Sequence, residues 1–541
     1  MVNFMKVEKI QIQKYRSIDD ITIIFPKNKP LVLFGPNNAG KSNVLSAINR
    51  ILGERYPTYI EMLDSDYYMR DKQTNPSSTI TAQFSEPYYT DRYQNQYNTI
   101  AVTYGYNGNL TENLIHNGFG TRLYISNEDR QSCQSYLIDA ERNIQSALNY
   151  GSKYSLLSKF SHQIHKALSS NHKSELTSAF NKIKSSFEAT PEYGSFFEKF
   201  SYAIRGAVKG FVHSLEVDFS AYDPNNYAKS LRIYAKEGNS IRSFEEFGTG
   251  EQQVLLMAFA KAYMEVFTNE NFVLIIEEPE AHLHPLAQKW LKEYIVDMCT
   301  NGIQVIISTH STEFIDAEYL DGLVRIYKEN KITKAIQLSK EDLYSYCISC
   351  GVPSTITSPE NIVDFYNTKL FPDQLKGMFA ETIVLVEGAT EFFALPIYLK
   401  RIGFSLAENG IEIINCRGKD SIPLFWRLFT AFGYKCFFIF DGDKKTIENT
   451  RTFFGIITAT EWETDPTQYV LTNQYAYFGA DFEKYFQSTI NEYDLLSKDL
   501  SEKYHITSKP GKAKAIAQHC KKIPDFIKKL GETLRIVTTN I

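Results

Sequence analysis

The first residues of the chain alternate between apolar and polar side chains, which predicts a β-strand and is unlike the apolar run of a signal peptide. Strand-like sequence continues to about residue 140 around one glycine-rich turn. Apolar residues spaced three and four apart then predict helices over residues 139–205. Strand-like segments return near residue 211 and extend to about residue 336, so the helices are predicted to form an insertion.

The C-terminal part of the chain has a different pattern, in which short apolar strands alternate with amphipathic helices. The predicted strands are TIVLVEG, IEIINC and KCFFIFDGD, with helices between them. This alternation is typical of an α/β fold with a doubly wound parallel sheet. The preceding segment, residues 337–378, contains turn signals and is predicted to be a connector with short helices.

The composition fits a globular protein of several domains. The chain has 541 residues, of which 43% are hydrophobic and 22% are charged, and this composition argues against wholesale disorder. No apolar run approaches the roughly 18 residues of a membrane-spanning helix. Seven cysteines with a single CxxC pair predict reduced thiols. We therefore expect a soluble, cytoplasmic protein without a membrane partner.

A phosphate-binding loop follows the apolar strand LVLF. The segment GPNNAGKS matches the pattern GxxxxGK[ST] and opens a predicted helix. Backbone N–H groups at a helix N-terminus favour phosphate, Lys41 is expected to reach the β and γ phosphates, and Ser42 is expected to hold Mg²⁺. The chain is therefore predicted to bind ATP with Mg²⁺. The expected nucleotide contacts in the loop are Gly35, Pro36, Asn37, Asn38, Ala39 and Gly40.

Three later segments complete a nucleotide site. NFVLIIEEPEAHLHP is an apolar strand that ends at Glu277 and Glu278, FGTGEQQ is a glycine turn before a helix, and QVIISTHS is a strand that ends at His310. This order resembles the ATP-binding-cassette ATPases. The resemblance implies that Glu277 associates with Mg²⁺, that Glu278 polarises the attacking water and that His310 is the switch histidine. It also implies a head-to-head dimer, in which Gly248 and Gly250 of one subunit cap the γ-phosphate held by the other.

Two features depart from the cassette pattern. FGTGEQQ stands in place of LSGGQ, and Glu277 stands in place of the usual aspartate, so the pattern gives no reason to expect fast hydrolysis. The histidines of the HLHP segment, His282 and His284, are expected to have a structural role rather than to bind metal.

Carboxylates also follow the predicted strands of the C-terminal part. Glu387 ends the first strand, Glu391 lies on the next helix, and Asp441 and Asp443 end the third strand. Functional groups gather at the carboxyl ends of a parallel sheet, so these acids are predicted to share one crevice. Because four carboxylates repel each other, we expect Mg²⁺ or Mn²⁺ there. The arrangement resembles the Toprim domain of topoisomerases, primases and certain nucleases.

A cassette-type ATPase followed by a Toprim domain resembles the OLD (overcoming lysogenization defect) family of ATP-dependent nucleases. The resemblance covers most of the chain. It implies an ATPase domain of ABC/SMC type in two segments (1–138 and 206–336), a helical insertion that extends the dimer contact (139–205), a connector (337–378) and a Toprim domain with a basic end (379–541).

The family resemblance also implies an activity and further site residues. The expected activity is ATP-regulated cleavage of DNA by two metal ions, in anti-phage defence. The expected partners are DNA, a second copy of the chain in a homodimer or higher oligomer, and a partner protein or a retron-type RNA or DNA element. Glu483 is the expected additional metal ligand, with a solvent-facing salt bridge as the alternative. Lys509 is the expected catalytic lysine, with Lys512 as the alternative.

Charge is distributed unevenly, although the net charge is only −5. The segment Lys503–Lys529 contains eight lysines against one acid, Asp525. By itself this pattern is typical of a solvated helix face. Because the segment follows the predicted nuclease acids, the family resemblance favours contact with DNA.

Other classes of protein remain as alternatives. A non-nucleolytic ABC/SMC-like ATPase clamp for DNA repair requires long coiled-coil arms, and the predicted insertion of about 65 residues is short for them. A primase or topoisomerase would use the same Toprim acids, but no region is left for a separate topoisomerase domain. A transporter ATPase gives no reason for the Toprim part.

Overall fold

The computed structural model describes most of the chain in two compact units. The first unit comprises Met1–Ile138, Asn271–Glu280 and Pro285–Ile541, and the second comprises Asp139–Glu270 and Ala281–His284. The described residues are 5–106, 111–126, 129–130, 133–139, 155–196, 198, 234–237, 240–243, 246–267, 272–442 and 463–539. Most of the helix predicted from residue 139 and the strand predicted near residue 211 lie outside these ranges.

Fifteen strands are described before residue 340, and eleven of them form one mixed sheet in the first unit. The sheet order is β8-β7-β4-β1-β2-β15-β14-β3-β13-β12-β9. The strands are β1 (Val7–Tyr15), β2 (Ile18–Ile24), β3 (Leu31–Phe34), β4 (Ser77–Phe84), β5 (Tyr89–Thr90), β6 (Gln96–Tyr97), β7 (Thr99–Tyr106), β8 (Thr111–His116), β9 (Gln134–Ile138), β10 (Tyr234–Glu237), β11 (Ser240–Ser243), β12 (Phe272–Glu277), β13 (Gln304–Ser308), β14 (Leu323–Glu329) and β15 (Ile332–Gln337).

The two halves of this sheet differ in direction and in burial. One half, β8-β7-β4-β1-β2, is antiparallel, and β1 alternates buried and more exposed residues, which fits one covered face. The other half contains the parallel strands β14-β3-β13-β12-β9. Here β3 is buried at every position, as expected for a strand covered on both faces. Parallel pairing brings the carboxyl ends of β3, β13 and β12 to one edge.

Fourteen helices are described along the chain, and none of them is both long and apolar enough to cross a membrane. Those before residue 380 are α1 (Lys41–Leu52), α2 (Leu156–Ala167), α3 (Ser170–Glu188), α4 (Thr249–Phe267), α5 (Pro285–Thr300), α6 (Lys340–Ser349), α7 (Pro359–Asn367) and α8 (Pro372–Leu375). The second unit holds α2, α3, α4 and the hairpin β10–β11, and the rings of Phe160 and Phe259 join α2 to α4 at 5.9 Å.

The C-terminal part of the first unit contains a five-stranded sheet. Its order is β17-β16-β18-β20-β19, and only β19, at the edge, is antiparallel to its neighbour. The strands are β16 (Thr382–Val386), β17 (Ile411–Asn415), β18 (Lys435–Asp441), β19 (Tyr469–Leu471) and β20 (Tyr475–Phe478); the helices are α9 (Ala389–Arg401), α10 (Ile422–Ala431), α11 (Phe482–Thr489), α12 (Tyr493–Tyr504), α13 (Lys509–His519) and α14 (Asp525–Thr539).

The two sheets of the first unit are joined through the loop between α10 and β18. Arg325 on β14 donates a hydrogen bond to the carbonyl oxygen of Phe432 at 2.8 Å, and its guanidinium lies 3.5 Å from the ring centroid of Tyr434. The ring of Phe432 also packs edge-on against Phe34, 5.8 Å between centroids. Phe34 is the last residue of β3, so this contact lies directly before the phosphate-binding loop.

Candidate active sites

The phosphate-binding loop connects β3 to α1. Gly40 has φ 111°, and a Cβ atom at this position would lie 2.3 Å from the Thr333 hydroxyl, so no other residue fits without displacing that side chain. Lys41 is buried, and its ammonium donates to the carbonyl oxygens of Gly35 and Pro36 at 3.0 Å. The lysine is thus held inside the loop that would surround the phosphates.

Burial lowers the pKa of Lys41 to about 8, against the charges of Glu278, Glu280 and Glu277. An anion bound in the loop would favour the charged lysine. The loop geometry and this charge therefore fit a nucleotide phosphate.

The predicted magnesium residues meet at the end of β12. The Ser42 hydroxyl donates a hydrogen bond to the Glu277 carboxylate, although the two residues are 235 positions apart. Strand β12 lies one strand from β3 in the sheet, with β13 between them, so these ends share one edge. A hydroxyl and a carboxylate at a phosphate-binding loop form a donor set suited to Mg²⁺.

His310 lies beside Glu278 at the same edge. Its Nε2 is 3.8 Å from the Glu278 carboxylate, and burial, followed by the charge of Lys41, lowers the pKa of His310. Glu278 itself has φ 47°, an uncommon conformation for a non-glycine residue. Such strain is often found at functional sites.

Glu280 is a site residue that the sequence analysis did not single out. Its carboxylate accepts hydrogen bonds from the His310 backbone N–H at 2.6 Å and from the Thr309 hydroxyl at 2.9 Å. Burial raises the pKa of Glu280. The residue therefore fixes the backbone that carries His310. The sequence shows Glu280 as the third acid in IIEEPE, but only the fold shows that it binds the backbone at His310.

The glycine turn lies in the second unit. The Gly248 backbone N–H donates to the Glu251 carboxylate at 3.0 Å, and α4 begins at Thr249. A Cβ atom at Gly250 would lie 3.0 Å from the carbonyl oxygen of His282, so a glycine suits this close approach. His282 and its neighbour His284 are in the same unit.

Three carboxylates gather at the carboxyl edge of the C-terminal sheet. Glu387 directly follows β16, and its carboxylate accepts a hydrogen bond from the Asp441 backbone N–H at 3.2 Å. Asp441 ends the neighbouring strand β18. Glu391 lies in the first turn of α9, where its carboxylate accepts from the Gly388 N–H at 3.2 Å. The parallel strands thus bring these three predicted acids together.

Helix α11 adds a fourth carboxylate. Its first N–H, from Phe482, donates to Asp441 at 2.9 Å, which ties the helix to the end of β18. Glu483 follows and pairs with the Lys509 ammonium at 2.9 Å. Lys512 is half-buried one turn further along α13.

The carboxylates at this edge repel each other. Burial and then the Glu387 and Glu483 charges raise the pKa of Glu391 to about 7. Burial and then the charges of Glu391, Glu387 and Glu483 raise the pKa of Asp441 to about 8. Carboxylates that are hard to ionise together are suited to a divalent cation.

The described residues do not form a complete set of metal ligands in this structure. Among those residues, no three His, Cys, Asp or Glu side chains are arranged to hold a metal ion. Asp443, predicted to be a ligand, lies outside the described residues. The donor chemistry of these carboxylates fits a divalent ion.

The sequence matches two family models. Their order along the chain is the order of the two sites. Residues 5–94 and 87–315 match an AAA ATPase domain, and residues 378–443 match the overcoming lysogenization defect protein-like TOPRIM domain. An OLD nuclease from Thermus scotoductus is 23% identical over 437 residues, which cover 77% of this chain and 78% of that protein. The chain belongs to the AAA ATPase domain family, and with its Toprim domain it matches an OLD-family ATPase–Toprim nuclease.

The chain is an enzyme in which an ATPase domain precedes a Toprim nuclease domain. The Old nuclease of Escherichia phage P2 is 29% identical over 213 residues, 38% of this chain and 34% of that protein. A solved SMC head bound to the C-winged helix domain of ScpA aligns with a TM-score of 0.38 at 16% identity, over 62% of this chain and 99% of that chain.

Proposed function

We propose that the chain is an ATP-regulated, Mg²⁺-dependent DNA endonuclease of the OLD family. The observation that carries the proposal is the gathering of Glu387, Glu391 and Asp441 at one sheet edge, next to the Glu483–Lys509 ion pair. Buried acids with raised pKa values beside a cation form a site for metal ions and a phosphate group.

The proposed ligands of two divalent ions are Glu387, Glu391, Asp441, Asp443 and Glu483. Two bound ions would supply an activated water and stabilise the leaving oxygen of a phosphodiester. The Asp441 N–H orients the Glu387 carboxylate, and Lys509 would neutralise charge on the scissile phosphate.

ATP would regulate cleavage rather than react with DNA. Lys41 and Ser42 would bind its phosphates and Mg²⁺ together with Glu277, while Glu278, beside His310, would polarise the attacking water. Gly248 and Gly250 would complete the site of a second copy in a head-to-head dimer.

The basic segment Lys503–Lys529 is the proposed surface for the DNA backbone. Lys503, Lys509, Lys514, Lys521, Lys522, Lys528 and Lys529 are exposed. Lysines that neutralise phosphates release counterions, so binding should weaken steeply with salt. The proposed setting is anti-phage defence in the cytoplasm, with a partner protein or a retron-type RNA or DNA element.

Plasmid nicking with Mg²⁺, with and without ATP, tests the nuclease proposal. The Asp441→Ala variant should lose cleavage, because the end of β18 no longer supplies a carboxylate, and should still bind ATP. Lys528→Ala is the matched control, since Lys528 lies on α14 and is not a carboxylate, and one phosphate contact contributes little. Nicking by purified Asp441→Ala protein at the wild-type rate would reject the site.

A further inference from the structure

Arg417 lies on the loop that follows β17, at the same sheet edge as the nuclease carboxylates. Val386 and Asn415 are paired in the register of β16 and β17, so the residues after both strands emerge together. The Gly418 N–H donates to the Glu387 carbonyl oxygen at 2.8 Å, which ties the loop to the backbone of that acid. The position of Arg417 is thus fixed relative to Glu387.

The backbone of Arg417 is strained. Its φ is 58°, a left-handed conformation that favours glycine, and the Asn415 side chain holds it by accepting the Arg417 N–H at 2.9 Å. Such a conformation is uncommon for residues other than glycine and is often found at functional sites. The exposed side chain of Arg417 therefore projects from a backbone that the end of β17 holds in place.

An aromatic platform supports the arginine side chain. The guanidinium lies 4.3 Å from the ring centroid of Phe371, just before helix α8. Gln374, which is 1% exposed, accepts from the Phe371 N–H at 3.2 Å and donates to the Asn415 carbonyl oxygen at 2.9 Å. One buried amide thus fixes both the platform and the end of β17.

The Arg417 guanidinium does not form a close ion pair with a carboxylate of the described residues. Its carboxylate partner among the described residues is Asp373, at 3.9 Å, and the two side chains are 50% and 68% exposed. Asp373 also pairs with Lys376 at 3.2 Å. An exposed pair at this distance contributes little, so the guanidinium can bind another anion.

Strand order puts Arg417 at one end of the row of acids. The order β17-β16-β18-β20 brings Arg417, Glu387, Asp441 and then α11 with Glu483 along one edge. With about 4.8 Å between strands, the row spans roughly 14 Å. Lys509 pairs with Glu483 at the far end. Arg417 and Lys509 therefore lie at opposite ends of the row of acids. In these positions they can contact phosphates on both sides of the acids in a strand of nucleic acid.

We propose that Arg417 binds a phosphate of the substrate strand on the β17 side of the scissile position. The inference rests on the proposed nuclease function and adds a substrate-positioning residue to it. The planar guanidinium can pair two donors with phosphate oxygens while one face rests on Phe371.

The test measures affinity for a linear DNA duplex over a salt series, in full-length protein that carries Asp441→Ala to prevent cleavage. Arg417→Gly removes the guanidinium and suits the positive φ, so the fold is retained. We expect affinity about tenfold weaker and a salt slope lower by about one unit. Arg417→Lys should restore the slope and only part of the affinity, because it keeps the charge without the paired donors.

Arg122→Ala is the matched control, since Arg122 is also exposed and lies 5.1 Å from the ring centroid of Tyr124. It should leave affinity and slope unchanged. In protein with Asp441 intact, Arg417→Gly should raise KM more than it lowers kcat. Wild-type affinity and slope in Arg417→Gly, or an equal loss in Arg122→Ala, would overturn the proposal. Failure of the nuclease proposal gives different results: the wild-type protein would not cleave DNA, or the Asp441→Ala variant would still cleave it.

Discussion

At the scale of single residues, both sites bring several carboxylates close together, but the contacts of these carboxylates differ. In the ATPase site, Lys41 donates to loop carbonyl oxygens, and the Glu277 carboxylate accepts the Ser42 hydroxyl. In the Toprim site, burial and mutual repulsion leave Glu391 and Asp441 with raised pKa values. The carboxylates of the proposed Toprim site are therefore suited to a divalent cation.

The raised pKa of Asp441 predicts how stability depends on pH and metal. The native carboxyl, with a pKa of about 8, binds its proton more tightly than in the unfolded chain. Its contribution to the stability of metal-free protein is therefore present at low pH and lost as the pH rises through about 8. Mg²⁺ competes with the proton, so the Mg²⁺-induced rise in Tm should be larger at about pH 9 than at about pH 6.

Differential scanning calorimetry in MgCl₂ and in EDTA at the two pH values measures this effect. Asp441→Asn should reduce the pH dependence of the Mg²⁺-induced shift. A shift that is equal at both pH values, or unchanged in Asp441→Asn, would contradict the assignment of Asp441 to a metal site.

At the scale of elements, helix N-termini position Glu483 and Lys509, the second half of the proposed nuclease site. Asp441 accepts the first N–H of α11, and this contact places Glu483 next to the strand end. Lys509 is the first residue of α13, where the helix dipole disfavours a cation by about 0.3–1 kcal/mol. The ion pair with Glu483 offsets this cost, and the location of Lys509 fits a role in the site.

This placement predicts different effects for two lysines on α13. Lys509→Ala should lower the single-turnover cleavage rate by about 100-fold, because a charge beside the scissile phosphate acts on the transition state. DNA affinity should change little, since many lysines share the backbone contact. Lys512→Ala, three residues further along the same helix, should cleave at nearly the wild-type rate.

Quench-flow cleavage and a parallel binding titration separate these effects. The Glu483–Lys509 pair is solvent-exposed on the lysine side, so its loss should hardly alter the free energy of unfolding. If Lys512→Ala fails to cleave and Lys509→Ala is active, the catalytic lysine is Lys512.

At the scale of the whole molecule, the loop between α10 and β18 contacts the ATPase sheet. Phe432 packs on Phe34, next to the phosphate-binding loop, and Tyr434 lies against Arg325 on β14. Strand β18 starts directly after this loop and ends at Asp441. We therefore predict that ATP acts on the proposed nuclease site through this loop and β18.

Arg325→Met tests this connection. We expect ATP binding and basal DNA cleavage to persist, while the change in cleavage rate caused by ATP becomes smaller, because the variant loses the contacts to Phe432 and Tyr434. The measurement is the cleavage rate with and without ATP. Arg130→Met is the matched control, since Arg130 is equally buried but donates to carbonyl oxygens within the ATPase part. An unchanged ATP response in Arg325→Met, or an equal loss in Arg130→Met, would contradict the coupling.

The sequence alone predicted the fold class, pointed to the OLD family and supplied most of the candidate residues. Strand-terminal motifs such as FGPNNAGKS and LVEGATE specify local chemistry, and the carboxyl ends of parallel strands share one edge, so their grouping could be predicted. The outcome for Asp443 stays a prediction, as do the domain boundaries and the roles assigned to the site residues.

Only the tertiary structure decided which residues touch across long separations. Glu280 binding the His310 backbone, Lys509 rather than Lys512 pairing with Glu483, and Arg417 resting on Phe371 depend on packing between distant elements. Hydropathy patterns record which face of an element is buried, but they do not record which polar groups meet there. Those contacts depend on the order of the strands and the placement of the helices, which are defined only in the folded protein.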